Sequence, residues 1–132
     1  MLKTAYTTEK PWGHEETWAA THRYVGKILF IKEGHRLSRQ YHKVKEETIM
    51  VLEGQLTVEH GPYFEGDTIY IEVMEPGEIF HVFPGTIHRF CAESGDVKIV
   101  EVSTPEIQDV TRLEDDYRRI TDIPLPPPSS GK

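Results

Sequence analysis

Apolar residues in this chain recur in short, alternating runs that glycine, proline or charged residues interrupt every few positions. This pattern constrains the fold more than any other feature. Alternation with period two places every second side chain on one face of a strand, whereas a helix needs a spacing of three to four. The runs predict strands near Glu15–Ala19, Tyr24–Ile31, Leu37–Tyr41, Thr48–Leu52, Gln55–His60, Asp67–Val73, Ile79–Val82, His88–Ala92 and Lys98–Ser103. Ile28–Ile31 and Ile99–Val102 concentrate Ile and Val, which places those strands at the core. Only Val110–Ile120 carries a helical spacing, through Val110, Leu113, Tyr117 and Ile120, and it predicts one short C-terminal helix. Many short strands with little helix predict an all-β sandwich or barrel.

A length of 132 residues suits one domain with a real core. Its expected limits are residues 1–122, followed by a Pro-rich tail over 123–132 that is extended, disordered or laid against a partner subunit. The first twenty residues hold no continuous apolar run, so neither a signal peptide nor a membrane anchor is expected. Cys91, the single cysteine, has no partner for an internal disulfide and fits a reducing, cytoplasmic setting. A net charge of −7 argues against nucleic acid as a partner. Locally the balance reverses, because residues 35–45 carry Arg36, Arg39, Lys43 and Lys45 with no acid among them. Such a stretch is either a solvated cationic strand or an anion-attracting rim suited to a phosphorylated small molecule. By strand parity Arg36 and Ser38 share the face of Gln40 and His42, which makes them the candidates for substrate contact.

Two separated segments carry the chemistry. The first reads Gly34-x5-Gln40-x-His42-x4-Glu47-x6-Gly54, and the second reads Gly77-x5-Phe83-Pro84-Gly85-x2-His88. Gln40 and His42 project from one face of an extended strand, and Glu47 returns to it only if the chain bends between Lys43 and Glu46. Gly54 and the Pro84-Gly85 pair suit sharp turns. Two imidazoles, a carboxylate and an amide oxygen form a ligand set for one divalent ion: Zn, Mn, Fe, Co or Ni. Gln40 either ligates that ion or hydrogen-bonds a water on it. His14, His22, His35 and His60 fall at turn or strand ends, where exposure explains them; His81, inside a candidate strand, reaches either the core or the cavity and stays unassigned, with the structural reading favoured.

These segments resemble the two signature motifs of the cupin superfamily, with Gln40 in place of the first His, Phe83 in place of a Pro and Ala92 in place of an Asn. The Gln-for-His change, Lys10-Pro11-Trp12-Gly13, Leu37-Ser38-x-Gln40-x-His42, His88-Arg89 and the acidic stretch from Asp109 to Tyr117 narrow the resemblance. They are similar to the cupin domain of type II mannose-6-phosphate isomerases, a domain often fused behind a guanylyltransferase. No such domain precedes the cupin within these 132 residues, so the expected activity stands without it. One departure is Arg118, where that family usually has Gly.

The resemblance implies a double-stranded β-helix and a metal-dependent interconversion of mannose 6-phosphate and fructose 6-phosphate, or of a related sugar. It also implies a substrate role for Arg89 and raises the standing of Lys27. Strict alternation after His88, however, turns Arg89 to the opposite face. Glu101, a charge in an otherwise apolar strand, is a candidate base if it points inward with a raised pKa. Two other readings stay open: a metal-dependent cupin oxygenase, and a sugar-binding cupin without turnover. A homodimer is expected from sheet-to-sheet pairing, with Trp12 and Trp18 either at its surface or in the core.

Overall fold

The computed structural model describes residues 1–63, 68–106 and 108–119, and it is built from strands. In chain order these are β1 (Tyr6–Lys10), β2 (Gly13–Ala20), β3 (Val25–Ile31), β4 (Arg39–Tyr41), β5 (Glu47–Glu53), β6 (Leu56–Pro62), β7 (Tyr70–Met74), β8 (Ile79–Val82), β9 (Thr86–Cys91), β10 (Val97–Ser103) and β11 (Thr111–Glu114). They form a six-stranded sheet, ordered β1-β2-β3-β10-β5-β8, and a five-stranded sheet, ordered β11-β4-β9-β6-β7. From β3 to β10 the chain passes repeatedly between the sheets, and every pairing is antiparallel. This interleaving is the jelly-roll solution, in which two sheets roll around one core.

The alternation in the sequence determines what faces that core. Leu29 and Ile31 on β3, Ile49 and Val51 on β5, Leu56 and Val58 on β6, and Ile99 on β10 are all buried. Removing each such side chain from water stabilises the fold by about 1.5–3 kcal/mol before ordering entropy is counted. The same parity carries polar groups inward at one end. Glu47 begins the buried set of β5, and Glu101 and Ser103 end that of β10. One end of the barrel is therefore apolar and the other holds the charges.

Close approach leaves no room for a Cβ at four glycines, Gly13, Gly26, Gly54 and Gly61. Gly54 takes φ +85°, and a Cβ there would meet the Asp96 carbonyl oxygen at 2.3 Å. A Cβ on Gly26 would meet the Trp18 ring at 2.6 Å. Trp18 therefore lies flat on β3 with half its surface exposed, whereas Trp12 is 3 % exposed and belongs to the core.

The C-terminal region departs from expectation. Residues 111–114 form strand β11, not a helix, and a turn over Asp115–Tyr117 follows. β11 pairs with the short strand β4, whose backbone groups would otherwise form an open edge. The spacing of Val110, Leu113 and Tyr117 imitates a helix, yet Leu113 is exposed while Tyr117 packs against the core. Ile120 and the Pro-rich tail lie outside the described residues. Among the described residues no helix is long and apolar enough to cross a membrane.

Candidate metal centre

His42, Glu47 and His88 place one ligand atom each within 4.8 Å of one another, and all three residues are buried. Their elements explain the convergence. His88 points inward from β9, and Gln40 on β4 lies directly across from it. His42 follows β4, the chain bends at Lys43–Val44, and Glu47 opens β5 facing inward. The bend is held by Asp109, whose carboxylate accepts hydrogen bonds from the backbone N–H groups of Lys43, Val44 and Lys45 at 2.6–3.0 Å. Partial burial alone would raise the Asp109 carboxyl, but these three donors hold it below its ordinary range.

Both imidazoles are fixed in orientation by carbonyls. His42 Nδ1 lies 2.6 Å from Asp109 O, and His88 Nδ1 lies 2.9 Å from Thr86 O. A carbonyl only accepts, so each Nδ1 carries a hydrogen and each Nε2 is the ring atom turned to the centre. Neither Nε2 reaches water or a hydrogen-bond donor. Glu47 Oε1 is 3.4 Å from His42 Nε2, and Glu47 Oε2 is 3.8 Å from His88 Nε2. Lone pairs on three residues thus face one another in a dry space. One proton satisfies a single pair, whereas a cation satisfies all three. The donor set of two imidazoles and a carboxylate fits a borderline divalent ion.

The electrostatics agree. Burial pushes the His88 imidazole down to about 4, so it is neutral at pH 7. Burial alone would raise the Glu47 carboxyl, but His42, His88 and Lys45 outweigh it and hold it at about 2. His88 and Glu47 are therefore in the protonation states that ligation requires.

A cavity of about 130 Å³ opens beside this centre, lined by Ser38, Gln40, His42, Lys45, Glu47 and Glu101 among others. Ser38 is 1 % exposed and donates to Gln40 Oε1, which orients the amide. Glu101 stands in the buried face of β10, and its Oε2 has no hydrogen-bond partner. Burial, and after it the charge of Glu47, push this carboxyl up to about 7. Lys45 Nζ lies 3.2 Å from Glu47 and 3.5 Å from Glu101, bridging the two carboxylates. Lys27 is across from Glu101 on β3 and ion-pairs with Glu15 at 2.7 Å.

Two predicted substrate residues fall elsewhere. Arg36 does not line this cavity; it pairs at the surface with Asp116, 2.8 Å away. The parity argument failed because residues 37 and 38 are not in a strand, so the face cannot be counted through them. Arg89 is also absent from the cavity. It is buried on the other face of β9 and donates to the carbonyls of Leu37 and Glu114, a clamp between segments. His81 pairs with Glu46 at 2.6 Å, away from the centre. Sequence reasoning missed Lys45, Glu15 and Asp109, along with Lys10, Arg112 and Arg119, which also line the cavity. The only signal for Lys45 was its place in the cationic stretch. The two arginines were hidden by the apparent helix.

The family model for the mannose-6-phosphate isomerase C-terminal domain matches residues 1–122. The chain belongs to this family. No curated protein matches this mannose-6-phosphate isomerase C-terminal domain by sequence. Among solved structures, CapF, a capsular polysaccharide assembling protein from Staphylococcus aureus, aligns with TM-score 0.73 and 17% identity. The alignment covers 83% of this chain and 34% of CapF, so the domain spans about a third of that protein. KdgF from Halomonas sp. aligns with TM-score 0.66 and 18% identity, over 78% of this chain and 90% of KdgF. Oxalate decarboxylase from Lactobacillus farciminis gives TM-score 0.70 and 19% identity, over 83% of this chain and 34% of the enzyme. At these identities the likeness is one of fold, and the fold is the cupin double-stranded β-helix.

Proposed function

We propose that this domain is a divalent-metal-dependent aldose–ketose isomerase acting on a sugar phosphate, with mannose 6-phosphate and fructose 6-phosphate as the pair its family name points to. The observation that carries the reading is the dry meeting of His42 Nε2, His88 Nε2 and a Glu47 oxygen beside a polar cavity. His42, Glu47 and His88 would hold the ion, with Gln40 as a fourth donor oriented by Ser38. Bound there, a divalent ion supplies positive charge for the substrate oxygens on which negative charge develops.

The remaining work falls to the protein. Isomerisation moves a carbon-bound proton between adjacent carbons and a hydroxyl proton between their two oxygens; Glu101, which lines the cavity, would accept the carbon-bound proton and hand it back. A pKa near 7 suits a base that must be ionised to take the proton and protonated to return it. Lys45, between Glu47 and Glu101, holds the base near the metal ligand and limits the repulsion between the two carboxylates. Lys27 faces Glu101 from the adjoining strand and is itself oriented by Glu15.

The test is an isomerase assay on mannose 6-phosphate with purified protein, repeated after chelation and after restoring Zn, Mn, Fe, Co or Ni singly. Turnover should vanish on chelation and return with at least one metal. Bound metal without turnover in every preparation would defeat the isomerase reading.

A further inference from the structure

Five cations line the cavity, namely Lys10, Lys27, Lys45, Arg112 and Arg119, against three carboxylates, Glu15, Glu47 and Glu101. Most of these charges are matched. Lys27 pairs with Glu15, Lys45 bridges Glu47 and Glu101, and Arg119 pairs with Asp115 at 2.8 Å. Lys10 and Arg112 make no ion pair among the described residues. Among the described residues Arg112 Nε is buried without a hydrogen-bond partner, and the side chain's only bond is a long one, 3.4 Å, to the carbonyl of Arg119. Placing unmatched cations together in a half-buried site costs free energy unless an anion joins them. Their ionisation reflects this. Burial, then the charges of Lys27, Arg119 and Arg112, lower the Lys10 ammonium against the pull of Glu15. Burial and Arg119 likewise lower Arg112.

The sheet fixes where this cluster sits relative to the metal centre. Arg112 on β11 is directly across from Gln40 on β4, and Gln40 is directly across from His88 on β9. Residues opposite one another in neighbouring strands project from the same face, and each step is about 4.8 Å. Arg112 is thus two strands from His88, about 10 Å between backbones, in one row that crosses the cavity. Lys10 joins from the end of β1, and Arg119 from the turn after β11.

We propose that Lys10, Arg112 and Arg119 form a phosphoryl-binding subsite at the far side of the cavity from the metal centre. It rests on the reading of a sugar-phosphate substrate and specifies how that substrate lies. The carbonyl end is turned to His42, Glu47 and His88, and the phosphoryl group to the basic cluster. Guanidinium forks pair two N–H groups with two phosphoryl oxygens, and Arg112 has its Nε–H still to give. The subsite takes the role that the sequence assigned to Arg36.

The experiment is calorimetric titration of the full chain with inorganic phosphate, run metal-loaded and again after chelation. Phosphate should bind in both states with similar affinity. Lys10→Met and Arg112→Gln should each weaken it about tenfold or more, with metal content and circular dichroism unchanged. Arg112→Lys, which keeps charge but loses the fork, should recover part of the loss. Mannose 6-phosphate should bind more tightly than mannose to the wild type, and the difference should shrink in Arg112→Gln. Loss of phosphate binding on chelation would assign the anion to the metal and overturn the proposal. So would undiminished binding in the Lys10→Met/Arg112→Gln double variant, or tighter binding of glucuronate than of phosphate. Failure of the isomerase reading would leave these titrations intact, so the two are separable.

Discussion

His42 Nε2 faces Glu47 Oε1 across 3.4 Å, and His42 Nδ1 is committed to the Asp109 carbonyl, so the imidazole nitrogen meets an ionised carboxylate with no hydrogen bond between them. A buried contact of that kind is unfavourable by itself and becomes favourable around a cation. The barrel does not depend on it, because its apolar core lies at the other end. His42→Ala and His88→Ala should therefore each reduce bound metal to a small fraction of one ion per chain while leaving the β-sheet circular dichroism unchanged. Full metal occupancy in either variant, measured by elemental analysis, would remove that residue from the ligand set.

Glu101 makes a kinetic prediction. In the metal-free protein burial and then the charge of Glu47 push its carboxyl up to about 7; a cation held by Glu47 offsets the second cause, so kcat/KM for mannose 6-phosphate should rise with pH as the base ionises, with its midpoint below 7. Glu101→Gln is nearly isosteric and should lower kcat by about 10²-fold or more with metal retained. A variant that kept wild-type kcat would show that the proton is carried by another group.

The same two buried groups set opposing slopes in the stability of the metal-free protein. His88 is lowered from 6.5 to about 4, so its contribution is present above pH 6.5 and is lost as pH falls towards 4. Glu101 is raised from 4.5 to about 7, so its contribution is full below pH 4.5 and is lost as pH rises through 7. Urea unfolding in chelator should show Glu101→Gln gaining stability over wild type progressively between pH 4.5 and 7. A difference that stayed constant across this window would mean that Glu101 does not titrate there.

Arg118 takes φ +62°, the left-handed region that a residue with a Cβ enters at a cost. The position is the one where the resembling family usually carries Gly. Arg118→Gly should relieve this strain and stabilise the domain by about 1 kcal/mol, offset in part by the freer unfolded chain. The check is the urea midpoint at constant m-value. A lower midpoint would mean that the Arg118 side chain contributes more than its backbone costs.

The candidate metal cluster was legible because each signal is local. Gln40 and His42 share a face by parity, and the glycines mark where the chain reverses. Glu47 required a bend between residues 43 and 46, and the bend is present at Lys43–Val44. Glu101 was legible as a charge in an apolar strand, but the sequence left both faces of the sheet open to it, and the burial of alternate residues along β10 turns it inward. Arg36 was misplaced because parity holds only within a regular strand, and residues 37 and 38 lie outside one. β11 was misread because Val110, Leu113 and Tyr117 satisfy a helical period by accident, while the open edge of β4 decides their conformation.

Alternation and spacing, properties of neighbours along the chain, determined by themselves that this protein is a β-barrel with candidate metal-binding side chains from two segments. Only the tertiary structure decided which charges meet. Lys45 between Glu47 and Glu101, Asp109 under the 43–45 bend, and Arg112 in a row with Gln40 and His88 join positions far apart in sequence. Burial strengthens such encounters, and burial is a property of the assembled sheets, not of any single strand.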